Sequence, residues 1–340
     1  MERTRNAEER MPAARRAERN EVCEDDMRHI FIINPIAGGR DSTSRIMEAA
    51  KALQERHGIA YECILTRRPG HAMETCRALA GGGEALRFYA CGGDGTVNEV
   101  ANGILGFSNA AMTCIPAGTG NDFMKNFGPE MAGRFRDIES LWDGPQFPLD
   151  AIDCNGRIAL TIACSGIDAQ IADTVHRYGK STLLGGRGSY LASVAVNFLF
   201  HDIGHQWTVT LDDEVLSDNF ALVSTCNGRY YGGGSTPVPQ ARMDDGVLET
   251  ILVRKVGKLT FARLFPAYSA GECWRFPDIA RVVRARTVRI QSGTKIVTCL
   301  DGESLYSNDV TIRLSEKKVN FFGPRGCDPN ATARPAAGER

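Results

Sequence analysis

Cys91-Gly92-Gly93-Asp94-Gly95-Thr96-Val97-Asn98-Glu99 decides how this chain folds, because the residues after its glycines form either a hairpin strand or a helix. Gly-Gly-Asp-Gly is a good tight-turn sequence, so a hairpin is the competing reading. The next apolar residues, Val97, Val100, Ala101, Ile104 and Leu105, are spaced as one stripe of a helix, whereas a second hairpin strand would alternate. A strand, a glycine turn and a helix start form an anion site, since the glycines admit the ligand and the first amides and helix dipole favour negative charge. A carboxylate there, Asp94, would repel phosphate unless a cation lay between them, so the pattern points to nucleotide with Mg²⁺.

The same alternation extends in both directions. Ile30–Ile33 reads as a strand, about Ser42 to His57 as a helix stopped by Gly58, Ile59–Leu65 as a strand, and Ala72–Ala80 as a helix. Then come strand Leu86–Cys91, a helix from Thr96 and strand Met112–Ile115. This is the pattern of a parallel sheet covered on both faces, which binds ligands beyond the carboxyl ends of its strands.

After about Phe147 the texture becomes short alternating segments: Arg157–Ala163, Gln206–Leu211, Ala221–Thr225, Val247–Val253, Val282–Ile290 and Lys295–Leu300. They read as an antiparallel β domain, with Ser189–Phe200 as its helical exception. Val310–Leu314 and Val319–Phe322 are further strands that could return to the first domain. The expected organisation is a tail over 1–26, an α/β nucleotide domain over 27–147, a β-sandwich over 148–323 and a tail over 324–340. Met27, directly before the first strand, reads as a start with an extension upstream.

A length of 340 residues suits two domains, and 43% hydrophobic content supplies each with a core. Forty basic against forty-one acidic residues leave no global field for nucleic acid or an anionic membrane, so either partner needs a local patch. The eleven cysteines include no Cys-x-x-Cys pair and follow no secretory signal, which favours a reduced, cytoplasmic chain. His201 and His205 lack further ligands nearby and read as surface histidines. The uncharged stretch from Gly188 to Phe200 is shorter than the roughly 20 residues of a spanning helix.

Two more loops leave strand ends, Asn34-Pro35-Ile36-Ala37-Gly38-Gly39 and Pro116-Ala117-Gly118-Thr119-Gly120-Asn121-Asp122-Phe123. Either alone is as well explained as a strand-to-helix connection, but three such loops would converge on one crevice. Familiar alternatives fail on spacing. Gly179-Lys180-Ser181 has Thr174 where a Walker A loop needs glycine, and the two Gly-x-Gly pairs are followed by Asn98 and Phe123 where a dinucleotide fingerprint needs glycine.

With these residues in view, the chain resembles the diacylglycerol kinase catalytic-domain family, within the superfamily that also holds NAD kinases and phosphofructokinases. Gly92 to Thr96 resembles the shared signature, Val97-Asn98-Glu99-Val100 its lipid-kinase continuation, Asn34-Pro35-x-Ala37-Gly38 the opening loop, Thr66 the second-strand threonine and Gly118 to Phe123 the third loop. The resemblance covers about residues 29 to 323.

It implies a two-domain kinase moving the γ-phosphate of ATP to a lipid hydroxyl. Asn34, Pro35, Ala37, Gly38, Thr66, Gly93, Asp94, Gly95, Thr96, Asn98, Glu99 and Thr119 would hold the nucleotide, with Asp94 near Mg²⁺. Asp301-Gly302-Glu303 matches the motif whose aspartate is the general base, with Glu303 beside it. By composition alone Asp301-Gly302 is a hairpin turn. Asp245, with the carbonyls of Arg242 and Val247, resembles a structural Mg²⁺ site of the bacterial members. Met124-Lys125 stands where many members have Ala-Arg, so the charge is kept without the bidentate fork.

The resemblance further implies a lipid substrate met at the membrane surface by peripheral, transient contact, with Ser189–Phe200 lining an acyl pocket or forming plain core. No nucleic-acid partner is expected, and a homodimer is left open. An NAD-kinase-like or other soluble small-molecule kinase and a non-catalytic nucleotide-binding regulator are the rivals. Asn98-Glu99 and the Asp301 motif weigh against the first.

Overall fold

The computed structural model describes residues 27–39, 41–118, 120–170 and 204–329. The first domain is a six-stranded sheet. Its strands β1 (Arg28–Ile33), β2 (Ala60–Leu65), β3 (Leu86–Gly92) and β4 (Ala110–Pro116) run parallel in the order β2-β1-β3-β4. Helices α1 (Thr43–His57), α2 (His71–Ala80) and α3 (Asp94–Ile104) connect them. Central strands buried on both faces need continuous apolar runs, and Ile30 to Ile33 and Phe88 to Cys91 are fully buried. Edge strand β2 (AYECIL) is half-exposed throughout.

Gly58 ends α1 in the left-handed conformation at φ 71°, its N–H bonded to the Gln54 carbonyl, as the sequence predicts. The hairpin alternative fails at α3, which begins at Asp94 itself, two residues before the predicted start, with Gly93 as its N-cap. A short helix α4 (Pro129–Arg134) follows the third loop.

Two strands complete this sheet. The chain leaves through β5 (Gln146–Leu149) and returns as β15 (Val319–Phe322), which lies parallel to β4 and antiparallel to β5. Val310–Leu314, by contrast, stays in the second sheet as part of β14 (Glu303–Leu314). The inserted β15 is held by aromatic packing: Phe321 stacks on Phe127 at 5.2 Å between centroids and meets Phe123 edge-on at the same distance.

Among the described residues, the second domain is a nine-stranded, mostly antiparallel sheet. In chain order its strands are β6 (Ile152–Cys154), β7 (Arg157–Ala159), β8 (Ile162–Gly166), β9 (His205–Leu211), β10 (Glu214–Cys226), β11 (Leu248–Arg254), β12 (Ala280–Ala285), β13 (Thr287–Leu300) and β14. Both β8 and β9 pair with β10 and with β13, which closes these four strands on themselves around Trp207, Val209, Val223, Ile290 and Leu300. The outer face is covered by α5 (Lys258–Ser269), which buries Phe261, Leu264 and Tyr268 against Leu222, Ile251 and Val253.

That helix was not read from the sequence. Pro266 inside it and the absence of a side-chain N-cap remove the usual signals. The run Val282–Ile290 is also not one strand. It breaks at Arg286, whose N–H, with that of Thr287, donates to the carboxylate of Asp212 at 2.9 and 2.8 Å. Lys295–Leu300 is the end of long strand β13, past an irregularity between Gln291 and Ile296.

The stretch Ser189–Phe200 and His201 lie outside the described residues. His205 starts β9 and stacks on Trp207 at 5.0 Å. No described helix is long and apolar enough to cross a membrane.

Phe321→Ala should cost about 3–5 kcal/mol, the usual cost of truncating a fully buried aromatic. Denaturant unfolding measures it, and a cost below about 1 kcal/mol would contradict the account of how β15 is held.

Candidate active site

In a sheet of order β2-β1-β3-β4 the connections reverse direction between β1 and β3, so the loops leaving those two strands flank the crevice where such sheets bind ligands. They are the loop opened by Asn34 and the Asp94 loop. The Asn34 side chain joins them, its Oδ1 accepting from the Ile36 N–H at 3.2 Å and its Nδ2 donating to Thr96 Oγ1 at 3.3 Å.

The third loop closes against both. A Cβ on Gly38 (φ 66°) would lie 2.1 Å from the Ala117 carbonyl oxygen, and one on Gly118 would lie 2.4 Å from the Gly93 Cα. Glycine is required here by backbone contact. Asn121, at φ 49°, bonds both the N–H and the carbonyl of Gly118, fixing the turn. Pro35 and Ala37 shape the first loop, and Thr66 is tied to β1 by its N–H on the Ile33 carbonyl. Thr119 lies outside the described residues.

Asp94 sits in the first turn of α3 and accepts the Phe123 N–H at 3.1 Å. Burial pushes its carboxyl above the usual carboxylate range, and the like charges of Asp122 and Asp301 push the same way. A buried carboxylate raised by burial and by like charges is relieved by a divalent cation, for which carboxylate oxygens are suitable hard donors, so Asp94 fits as one ligand of such an ion. Asp122 is partly neutralised by Lys125, whose Nζ is 2.5 Å from Oδ1, and its Oδ2 accepts the Gly233 N–H at 2.6 Å. Lys125 therefore uses its charge inside the loop.

Asp301, at φ 49° in the β13–β14 turn, is far more than a turn residue. Its Oδ1 accepts from Thr161 N–H (3.0 Å), Thr161 Oγ1 (2.5 Å) and Ile162 N–H (3.1 Å). Its Oδ2 accepts from Leu160 N–H (2.5 Å) and from Asn98 Nδ2 (3.2 Å). Asn98, buried in α3, also donates to the Ile158 carbonyl at 2.8 Å. Hence the helix that starts at Asp94 reaches Asp301 one turn later. Glu303 approaches the same helix start, with Oε1 3.5 Å from where a Gly95 Cβ would be.

One predicted residue has structural work, and one predicted set is split. Glu99 accepts the Gly70 and Ala72 N–H groups at 2.8 and 3.1 Å, capping α2, which has no side-chain cap of its own. The set Arg242, Asp245, Val247 and Asp94 divides into two places. The carboxyl of Asp245 is raised by burial and by Asp150 and Asp244, whereas Asp94 faces Asp122 and Asp301. Among the described residues no three His, Cys, Asp or Glu side chains come together as a metal cluster. In the Asp245 loop the Asp245 carboxylate already accepts the Val247 N–H at 3.1 Å, and Asp244 pairs with Arg242 at 3.3 Å.

Nearby, Glu249 is buried with neither carboxylate oxygen hydrogen-bonded, 3.6 Å from Arg284, and burial drives its carboxyl to about 7.

Sequence reading missed Asn126, Thr161 and Arg229. Asn126 accepts the Arg229 N–H at 2.7 Å and donates to the Phe123 carbonyl at 2.8 Å, and the Asn227 and Gly228 N–H groups bond the Thr161 carbonyl. No spacing marks them, because Asn126 and Arg229 meet across the domain boundary and Thr161 meets Asp301 from 140 residues away.

Residues 28–153 match the family "Diacylglycerol kinase catalytic domain", and residues 161–322 match "YegS C-terminal NAD kinase beta sandwich-like domain". A Pseudomonas aeruginosa protein named "Probable lipid kinase YegS-like" is 30% identical over 85% of this chain and 93% of its own. A "Diacylglycerol kinase" of Staphylococcus epidermidis is 26% identical over 87% and 92%. A crystal structure of a diacylglycerol kinase from Bacillus anthracis superposes with a TM-score of 0.64 at 21% identity, covering 88% of this chain and 98% of that one.

Gly118→Ala should cost about 1–3 kcal/mol, because backbone must move to admit the methyl, and should reduce the thermal shift given by ATP. Gly133→Ala, inside α4 with open space around it, is the control and should cost no stability and leave the ATP shift unchanged. For Glu249 the folded state holds its proton up to about pH 7 while the unfolded chain releases it near 4.5, so stability falls as pH rises through that window. Glu249→Gln should therefore be more stable than the parent at about pH 8 and equal to it at about pH 4 in denaturant midpoints.

Proposed function

This chain belongs to the diacylglycerol kinase catalytic-domain family, with the YegS-type C-terminal domain, and from that premise we propose that it is a Mg²⁺-dependent ATP:lipid phosphotransferase acting on a hydroxyl of diacylglycerol or a related lipid. One observation carries the reading. Asn98 donates from the phosphate-side helix to Asp301, so the loop suited to the γ-phosphate and the carboxylate suited to the acceptor hydroxyl are held in one piece.

Phosphoryl transfer has a loose transition state, so acceleration comes mostly from positioning and charge neutralisation. The glycine loops and the α3 amides would hold the phosphates, and Asp94 with Asp122 would hold the cation. Mg²⁺, when bound, supplies charge neutralisation at the phosphates. Asp301 orients the acceptor. Its two oxygens already take five donors, of which Asn98 at 3.2 Å is the longest, so a substrate hydroxyl reaches Oδ2 by sharing it with Asn98. Asp301 would then take the hydroxyl proton as the new P–O bond forms and ADP leaves.

General-base catalysis is worth about 10²–10⁴-fold, so Asp301→Asn should lower kcat for lipid-dependent ATP consumption by that range while ATP still raises its melting temperature. Wild-type kcat in the variant would refute the base assignment, and ATP consumption indifferent to every lipid would refute lipid kinase activity.

A further inference from the structure

We propose that Tyr231 is a positioning residue for the divalent cation, because it anchors a glycine tip of the second domain whose Gly233 N–H aims Asp122 at the ion. The proposal rests on the reading of Asp94 and Asp122 as the holders of Mg²⁺.

The third loop leaves a space for the ion. A Cβ on Gly120 would lie 3.1 Å from Asp94 Oδ2 and 3.9 Å from Asp122 Oδ2, so the two oxygens border one point that a side chain there would crowd. Carboxylates placed this way repel, and the charge of Asp122 helps to push the Asp94 carboxyl up. A hard cation between them relieves both. Of the two Asp122 oxygens, Oδ1 is held by Lys125, while Oδ2, the one that borders this point, accepts the Gly233 N–H at 2.6 Å. That amide comes from the other domain. A carboxylate oxygen with one hydrogen bond keeps a lone pair for a metal, and such outer-shell bonds orient metal ligands.

The tip is built to deliver that one bond. Gly232, Gly233 and Gly234 are exposed and left-handed, at φ 59°, 86° and 117°, a path that side chains rarely follow. Tyr231 and Ser235 close it, each N–H bonding the carbonyl of the other, at 3.1 and 2.9 Å. Exposed glycines are pliable, so the place of the Gly233 N–H depends on this base. There the Tyr231 hydroxyl donates to Oδ2 of buried Asp168 at 2.7 Å, beside the Tyr268 hydroxyl of α5, which donates to the same oxygen at 2.8 Å. Ser235 Oγ meets Ser269 Oγ, also of α5, at 2.7 Å.

The anchor ties the cation to the base as well. Asp168 follows β8, whose first residue, Ile162, donates its N–H to Asp301 Oδ1 at 3.1 Å. One strand therefore sets Asp301 at its start and, through Tyr231 and Gly233, Asp122 beyond its end.

The test is the melting temperature of the full chain at fixed ATP with rising Mg²⁺, and again with ATP in EDTA. Mg²⁺ should add to the shift that ATP gives the parent, with a measurable midpoint; the pairing of Mg²⁺ with ATP in solution is common to every variant and cancels. Tyr231→Phe removes only the anchoring hydroxyl. Gly233→Ala strains the tip at φ 86° with nothing within 4 Å of the new methyl. Each should raise the Mg²⁺ midpoint about tenfold, the low end for loss of an outer-shell partner, while ATP in EDTA gives the parent's shift. A purely structural role lowers the melting temperature and leaves the midpoint in place, so unchanged midpoints in both variants overturn the proposal. So does loss of the ATP shift in EDTA, which would make the tip a support of the whole nucleotide loop, and so does a parent indifferent to Mg²⁺. Shifted midpoints in a protein that phosphorylates no lipid leave the positioning role standing and remove the kinase reading alone.

Discussion

The hydrogen bonds from Asn98 to Asp301 and to the Ile158 carbonyl hold the two domains in their working relation. Everything at the site is built on α3. Its first turn presents Asp94 to the phosphate side, its second sends Asn98 across to Asp301, and Glu99 beside it caps α2. One helix thus sets three positions at once. Its glycine-rich start lets neighbouring backbones touch it, which is why Gly93 and Gly118 leave no room for side chains.

A second route joins the same two carboxylates. From Asp94 the bonds run through the Phe123 N–H, the Phe123 carbonyl to Asn126, Asn126 to the Arg229 N–H, and the neighbouring Gly228 N–H to Thr161, which grips Asp301. With Asn98 this makes a closed ring around the crevice. Each member is buried or half-buried, where an unmade hydrogen bond costs more than in water. The ring therefore favours domains that move as a unit around the reacting groups.

Much of this was legible in the sequence. The helical spacing of Val97, Val100, Ala101 and Ile104 excluded the hairpin, and the α/β alternation up to Ile115 needed only local signals: apolar periodicity, Gly58 as a stop, glycines at strand ends. The features that depended on distance in the chain were not legible. Whether Val319–Phe322 returned to the first sheet was decided by Phe321 finding Phe127 and Phe123. The break at Arg286 came from Asp212, and α5 from a core that accepts an uncapped, proline-containing helix. At the site, Asp94 announced itself through its glycines, but Asp301 read as a hairpin turn until a family resemblance singled it out. Its five donors come from Asn98 and the 160–162 segment, separated from it by well over a hundred residues. Asn126 and Arg229 had no signal at all, and neither did the cap that Glu99, read as a nucleotide contact, provides for α2.

The most direct test of the central claim is to incubate the protein with γ-labelled ATP and Mg²⁺, offering diacylglycerol, monoacylglycerol, phosphatidylglycerol, a sphingoid base and ceramide in mixed micelles, with NAD as a soluble acceptor. Label entering at least one of the lipids, and not NAD, is the predicted result. Label entering NAD alone, or no acceptor, would contradict it.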